Sequence, residues 1–364
     1  MPSVHAVRFV CVSEILGGGE LYLLRIARAA AERLDVSVVG SPGTPVLAAA
    51  GRLGLETTEV PLGRKLGRRS AAHDLLRYAP ARRALRALVA SGGRGTWTLL
   101  QYKWDELLWA GAPAPERVAL WEHGPLPGPL LRVPWSRRRL VRAFARAARV
   151  FAWSEPARRA ILDLCGRAPQ MLEPGVDPAA AASAVEGREE TRERLGVSAD
   201  EMLLVYSGRL AGDKGVDLLL RALPRLPRAH AVVCGTGPAA TELERLAATM
   251  GVGDRIRFTG FVEDPLPLLA AADVAVLLSR SPGEGRPLVA IEAGAVGTPV
   301  LGLAGSPALE RLAEEGRARL APNGAPEAVS RCLEEMARQP RRTFPAPRWE
   351  ATAGRFLDAL EQAG

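Results

Sequence analysis

The sequence predicts an α/β protein made of two doubly wound, Rossmann-like domains. Three observations carry this. Short β-branched apolar runs alternate with amphipathic helical stretches along the whole chain, the pattern of parallel sheets covered by helices on both faces. Several runs end in glycine-bearing loops, among them Gly17-Gly18-Gly19 and Gly208-Arg209, where ligands meet helix N-termini in such folds. The length, 364 residues, suits two domains of ordinary size.

Composition narrows the class. At 48% hydrophobic and 24% charged residues the chain reads as globular. The longest uncharged stretch, Ala293 to Leu309, is broken by glycine and proline, so no membrane span is expected. The N-terminus runs straight into a strand pattern without a basic head and apolar core, which argues against a signal peptide. Cys11, Cys165, Cys234 and Cys332 are scattered and form no Cys-x-x-Cys pair, fitting a reducing cytosol and no structural zinc. A net charge of +8 points to anionic partners: nucleotide sugars, phospholipid surfaces or nucleic acid. Only Lys65, Lys103 and Lys214 are lysines among 48 basic residues. With the abundant Ala, Gly and Pro, this arginine excess is what a GC-rich coding bias produces, so charge alone does not call for nucleic acid.

In chain order, Ala6 to Val12 reads as a buried strand, followed by the Gly17–Gly19 loop and a helix to about Arg33. The Gly-x-Gly-x-x-Gly dinucleotide spacing is absent here, and a plain tight turn remains an alternative. Strands at Val36–Gly40, Thr57–Val60, Trp97–Leu100 and Val118–Trp121 follow, with helices near Pro45–Leu53 and Asp74–Val89. His123 stands just past the Val118 strand, at the carboxyl end where ligands gather, although a structural histidine has the same setting. Two basic segments lie in this half, Arg64-Lys65 with Arg68-Arg69 and the helix Trp135 to Arg146 carrying Arg137-Arg138-Arg139. Either an anionic membrane contact or a solvated face explains them. Val150 to Ser154 is a strand running into a helix capped by Ser154. Pro178 to Asp200 then loses strand character and reads as an interdomain connection.

The second half opens with the strand Leu203–Ser207, then Gly208-Arg209-Leu-Ala-Gly-Asp-Lys214-Gly215 and a helix. A forked guanidinium and a point-charge ammonium at a strand–helix junction are well suited to a diphosphate. Gly235-x-Gly237-x-x-Ala240 follows another strand and would pass as a weak nicotinamide-cofactor motif, but no acidic residue closes the next strand. The stretch that organises this half is Ser281-Pro-Gly-Glu284-Gly-Arg286-Pro287-Leu288-Val289-Ala-Ile-Glu292. It follows the strand Val274–Leu278 and opens a helix from Leu288 to Val296. Its N-terminus offers N–H groups to an anion, with Glu284 and Glu292 placed to accept hydrogen bonds from sugar and ribose hydroxyls. Taken alone, the two glutamates equally suit a solvated loop and a helix face.

Glu284-x7-Glu292 followed by Ala-Gly and Thr-Pro-Val resembles the signature of the retaining group 1 (family 4, glycogen-synthase-like) glycosyltransferases of GT-B fold. Gly-Arg209-Leu-x-x-x-Lys214-Gly is similar to that family's pyrophosphate clamp. The resemblance implies two Rossmann-like domains facing across a cleft, with boundaries at 1–177, a linker at 178–200, a donor domain at 201–340, and a last helix, 348–364, returning to the first domain. It implies an enzyme that moves a sugar from a UDP- or GDP-linked donor to a hydroxyl acceptor without metal or cofactor. Arg209, Lys214, Glu284 and His123 would carry catalysis. Gly17, Gly18, Gly19, Gly208, Gly235, Gly237, Phe261, Val262, Arg286, Leu288, Val289 and Glu292 would bind the donor, Phe261-Val262 at the nucleobase. Where relatives commonly have an aromatic residue and glycine, this chain has Arg286-Pro287, and proline removes one backbone donor. The competing readings are a sugar-nucleotide-binding partner without turnover and a nicotinamide oxidoreductase. The acceptor is open between a lipid-linked glycan and a small natural-product scaffold. The expected setting is the cytoplasm, with a peripheral membrane contact possible and no nucleic-acid partner.

Overall fold

The computed structural model describes residues 4–63, 71–110, 114–124, 126, 128–280 and 285–363, with the backbone alone at 71–77. The basic segment at 64–69 and the stretch 281–284, which includes Glu284, fall outside these residues. The chain divides into two compact units, Met1–Gly175 with Trp349–Gly364, and Val176–Arg348.

Unit 1 contains β1 (Ala6–Cys11), α1 (Gly18–Ala30), β2 (Asp35–Gly40), α2 (Pro45–Arg52), β3 (Glu56–Glu59), α3 (Ala71–Ser91), β4 (Thr96–Leu100), α4 (Lys103–Trp109), β5 (Val118–Glu122), α5 (Gly128–Arg132), α6 (Pro134–Arg146), β6 (Arg149–Ala152), α7 (Glu155–Cys165) and β7 (Gln170–Met171). Its sheet is parallel, in the order β3-β2-β1-β4-β5-β6-β7. Strands β4 and β5 are buried at every position, as a sheet covered on both faces requires. Ser154 caps α7 as expected, accepting from the Ala157 N–H. Helix α4 was not foreseen.

Unit 2 contains α8 (Pro178–Glu186), α9 (Arg188–Leu195), β8 (Met202–Ser207), α10 (Val216–Ala222), β9 (Ala229–Cys234), α11 (Ala240–Thr249), β10 (Ile256–Gly260), α12 (Leu266–Ala271), β11 (Val274–Leu277), α13 (Leu288–Ala295), β12 (Val300–Leu303), α14 (Pro307–Glu314), β13 (Ala318–Ala321) and α15 (Pro326–Ala337). The parallel order β10-β9-β8-β11-β12-β13 repeats the doubly wound plan of unit 1. In both sheets the winding reverses beside the unit's first strand, between β1 and β4 and between β8 and β11. Chains leaving those pairs turn to opposite faces and open a crevice at their carboxyl ends.

The stretch expected as a connection, 178–200, is instead mostly helical and packs into unit 2. Asp177 Oδ1 accepts from the Ala179 and Ala180 N–H groups at 2.8 and 3.3 Å, capping α8 ahead of Pro178. Ala181, Ala184 and Val197 join the core on one face of the sheet. Arg188 and Arg192 converge on Asp273 at 2.8 and 3.1 Å, while the Leu203 N–H donates to the same carboxylate at 2.7 Å. Asp273 thus ties both helices to the start of β8.

The final helix, α16 (Trp349–Glu361), belongs to unit 1. Phe356 is fully buried with ring centroids 5.7, 6.0 and 5.3 Å from Phe9, Trp121 and Phe151. Trp349 meets Tyr22 edge-on at 5.3 Å and carries the Arg25 guanidinium over its ring. An apolar stripe on a terminal helix has to be covered, and these side chains cover it from β1, β5, β6 and α1. Truncating Phe356 to Ala is expected to destabilise unit 1 by about 3–5 kcal/mol, read as a lower midpoint in chemical denaturation.

Candidate functional site

Of the candidate residues of unit 2, Gly208, Arg209 and Lys214 lie in the loop that follows β8, at the β8/β11 reversal. The chain leaving β8 is held by its neighbours: the Gly208 N–H donates to Cys234 O at 3.0 Å, and the Leu210 N–H to Thr236 O at 2.9 Å. The Tyr206 hydroxyl donates to Arg209 O at 2.9 Å. Residues Gly212–Lys214 form a 3-10 turn, and Gly215 then adopts φ +73° ahead of α10. A Cβ at Gly215 would lie 1.9 Å from Leu278 O, so glycine is required where the two loops meet. From the β11 side, the Arg280 N–H donates to Asp213 O at 2.8 Å. Its guanidinium reaches Gly212 O at 3.0 Å and both oxygens of Asp217 at 2.8 and 2.7 Å. Sequence reasoning missed this lock, since an arginine 63 residues from its aspartate leaves no local signal.

Arg209 is 45% exposed in its side chain, with Nη2 3.7 Å from Asp213 Oδ1. It and Lys214 stand in the same short loop, against which Leu278 and Arg280 pack from beyond β11. Pro287 is the N-cap of α13 rather than its first residue, with φ −61° and ψ 122°. Leu288, Val289 and Glu292 are buried in the helix, and Val289 packs into the core. Arg286 Nη2 lies 4.0 Å from Glu315, a carboxylate also approached by Arg311 and Arg317 at 3.1 and 3.4 Å. The other end of α13 is pinned by the proline-rich crossover at 339–347, between α15 and α16. The Phe344 N–H donates to Gly294 O at 2.8 Å, and the Arg341 guanidinium donates to Val296 O at 3.0 Å. Burial and the nearby Arg188 pull Arg341 down to about 10.

Gly235 and Gly237 stand between β9 and α11 on the same edge. A Cβ at Gly235 would come 1.8 Å from Gly208 O, so the first glycine is explained by loop-to-loop approach within the unit. Phe261 is 38% exposed just beyond β10, whereas Val262 packs partly into the core.

Unit 1 gathers its own group at the β1/β4 reversal. Gly17 is the N-cap of α1, and Gly18 and Gly19 form its first turn. Glu20 Oε2 accepts the Gly17 N–H at 2.9 Å, and its Oε1 accepts the Tyr102 hydroxyl. Burial and Glu20 hold the Tyr102 phenol well above its ordinary range, so it stays a donor. A Cβ at Gly19 would stand 3.7 Å from Tyr102 Oη and 3.9 Å from the His123 ring, which places the glycine turn beside His123. The His123 ring lies 4.5 Å from Trp153, edge-on, and 6.2 Å from Trp121, stacked.

Beneath His123 sits a buried charge cluster. Lys103 Nζ donates to Glu106 at 3.0 and 2.9 Å and pairs with Glu122. Burial draws the lysine down, but Glu106 and Glu122 together hold it above its ordinary value. Burial raises Glu106 to about 7, against the pull of Lys103 and with Glu122 pushing further. Burial and Glu106 likewise raise Asp105 well above the carboxylate range. Helix α6 adds the Phe144 ring beside Lys103 and Arg139, which with Tyr78 of α3 caps the last carbonyls of α4. Among the described residues no cluster of His, Cys, Asp and Glu suits a metal ion, and the four cysteines are free thiols.

A folded-state value raised above the unfolded one stabilises the protein at low pH, and that contribution fades as pH climbs through the folded value. Stability of unit 1 is therefore expected to fall between about pH 5 and 8. Glu106→Gln should flatten that fall, as measured by denaturant midpoints across the range.

Residues 187–345 match the family described as Glycosyl transferases group 1. The chain is 32% identical over 182 residues to a GDP-mannose-dependent alpha-(1-6)-phosphatidylinositol monomannoside mannosyltransferase of Mycolicibacterium smegmatis, the match covering 47% of each chain. It is 37% identical over 110 residues to the lipopolysaccharide core biosynthesis glycosyltransferase LpsE of Rhizobium meliloti, covering 30% of this chain and 32% of that one. The chain thus covers less than half the length of either curated relative. Among solved structures, Anabaena HepE in complex with UDP-glucose is similar over 98% of this chain and 97% of that one, with a TM-score of 0.72 and 21% identity. The chain therefore has the GT-B glycosyltransferase fold, and its second unit carries the group 1 glycosyl transferase segment.

Proposed function

We propose that the protein is a retaining, metal-independent glycosyltransferase that moves a sugar from a nucleoside diphosphate sugar to a hydroxyl acceptor. The observation that carries this is the placement of Arg209 and Lys214 in one short loop at the β8/β11 reversal, braced by Arg280. The donor bond from the anomeric carbon to the diphosphate oxygen breaks with its electron pair going to that oxygen, and one further negative charge develops on the already anionic leaving group. One guanidinium, one ammonium and a helix N-terminus stabilise that charge where it forms. The acceptor hydroxyl attacks from the same face, and the departing phosphate takes its proton, so no protein nucleophile is needed. Glu292 holds the ribose, Glu284 the sugar hydroxyls, and Phe261 the nucleobase. His123 and the Gly17–Gly19 turn contact the transferred sugar. UDP and GDP donors are both supported, by the UDP-glucose bound to HepE and by the GDP-mannose dependence in the name of the mycobacterial relative.

The alternative of a nicotinamide oxidoreductase loses its support, because Gly235 is accounted for by the close approach of Gly208. Thermal shift against a panel of nucleotide sugars identifies the donor, since tight binding raises the melting temperature. Lys214→Ala is expected to lower transfer at least about 100-fold while the fold is kept, and chelation of divalent metal should leave turnover unchanged. A folded Lys214→Ala protein with full activity would count decisively against this mechanism.

For the acceptor we propose a lipid-borne glycan at an anionic surface. On α6, Trp135 is 49% exposed and the adjoining Val133 equally so. Arg137, Arg138, Arg142 and Arg146 are exposed on the same helix. Arg139 is not part of this face, as its guanidinium donates to Leu107 and Ala110 carbonyls. Exposed aromatic and apolar side chains next to arginines suit a headgroup boundary. Co-sedimentation with phosphatidylglycerol vesicles should drop severalfold in R137E/R138E, and equal sedimentation of the two proteins would exclude the contact.

A further inference from the structure

Lys103 has no part in the chemistry above, yet it stands at the centre of the unit 1 cluster. The chain uses arginine almost everywhere, with three lysines among 48 basic residues. At this position two carboxylates and the Phe144 ring enclose the cation, with the ammonium 5.2 Å from the ring centroid. A compact ammonium fits such a space, whereas a planar guanidinium is larger and demands a fork of acceptors.

The cluster connects directly to the candidate site. Glu122, paired with Lys103 through Oε2, uses Oε1 to accept the backbone N–H of His123 at 3.1 Å. On the far side of that residue the Ser154 hydroxyl donates to His123 O at 3.2 Å. The main chain at His123 is therefore gripped at both its amide and its carbonyl. The residue before Lys103, Tyr102, donates to Glu20, and Glu20 accepts the Gly17 N–H. A single dipeptide, Tyr102-Lys103, thus ties the glycine turn and His123 to the same helix start.

We propose that Lys103 is a positioning residue: by clamping Glu106 and Glu122 it fixes the His123 main chain, and so aims the imidazole at the substrate. This rests on the glycosyltransferase reading for its effect on turnover, but not for its effect on His123. Removing the ammonium leaves two like charges buried side by side. Glu122 then turns away or takes a proton, and the grip on His123 is lost. Misplacement of this kind leaves the diphosphate site of unit 2 untouched and lowers the chemical step.

The test compares K103M with a charge-free K103M/E106Q/E122Q protein, in which the residue 122 amide oxygen can still accept the His123 N–H, measuring turnover, affinity for UDP and GDP, melting temperature, and the imidazole resonances of histidine-labelled protein, with His123 assigned through H123N. Positioning predicts that kcat falls about ten- to a hundredfold in both variants with nucleotide affinity within about twofold, and that the His123 signal moves in both. The charge-free protein should regain the melting temperature without regaining kcat. If the charge-free protein is folded with wild-type kcat and an unmoved His123 signal, lysine only neutralises its neighbours and the proposal is overturned. Should K103M fail to fold, the charge-free protein carries the comparison. If the wild-type protein turns over no nucleotide sugar, the proposed function fails separately, and the His123 signal alone decides the positioning.

Discussion

Unit 2 depends on two loops being held together that leave the sheet in opposite directions. Strands β8 and β11 are neighbours in space, but their following segments wind to opposite faces. Without a brace the residues they carry would drift apart. The brace is Arg280, which spans backbone oxygens of the β8 loop and the carboxylate of Asp217, together with a glycine that lets the Leu278 carbonyl approach. A bidentate arginine–carboxylate pair adds direction as well as attraction. Its gain lies less in stability than in fixing where Arg209 and Lys214 stand.

Unit 1 solves the same geometric problem with buried charge. At its reversal, one ammonium is shared by Glu106 and Glu122, and a tyrosine hydroxyl satisfies a third carboxylate, Glu20. Such a cluster is a poor source of net stability, because the cost of desolvation consumes most of the attraction. It is a good source of definition, since every member has few alternatives once buried. The raised Glu106 and Asp105 are the visible cost of that choice.

The ends of the chain complete each unit differently. Helix α16 supplies Phe356 and Trp349 to the aromatic core of unit 1, and Arg149 donates to Ala359 O at 2.6 Å. The crossover that delivers it is itself structural in unit 2, where Arg341 and Phe344 fasten the C-terminal end of α13. A helix anchored at its tail presents its N-terminus in a fixed direction.

Sequence by itself determined the alternation of strands and helices, both glycine loops at β1 and β8, the Ser154 cap and the place of His123. These are local signals, written in apolar periodicity and in residues that backbone geometry demands. It misjudged 178–200 because an alanine- and charge-rich stretch looks solvated until Asp273 and the sheet face that covers its alanines are known. It missed α4 because Trp104 to Trp109 are all buried, charged residues included, so no polar face marks a helical period. Tertiary structure alone decided the partners of Lys103, Arg280 and Asp273, and which arginines of α6 face outward. Glu106, one turn beyond Lys103, is local, but Glu122, Asp217, Arg188 and Arg192 are distant in sequence from the residues they meet, and burial gives such pairs their strength only after the sheets have formed.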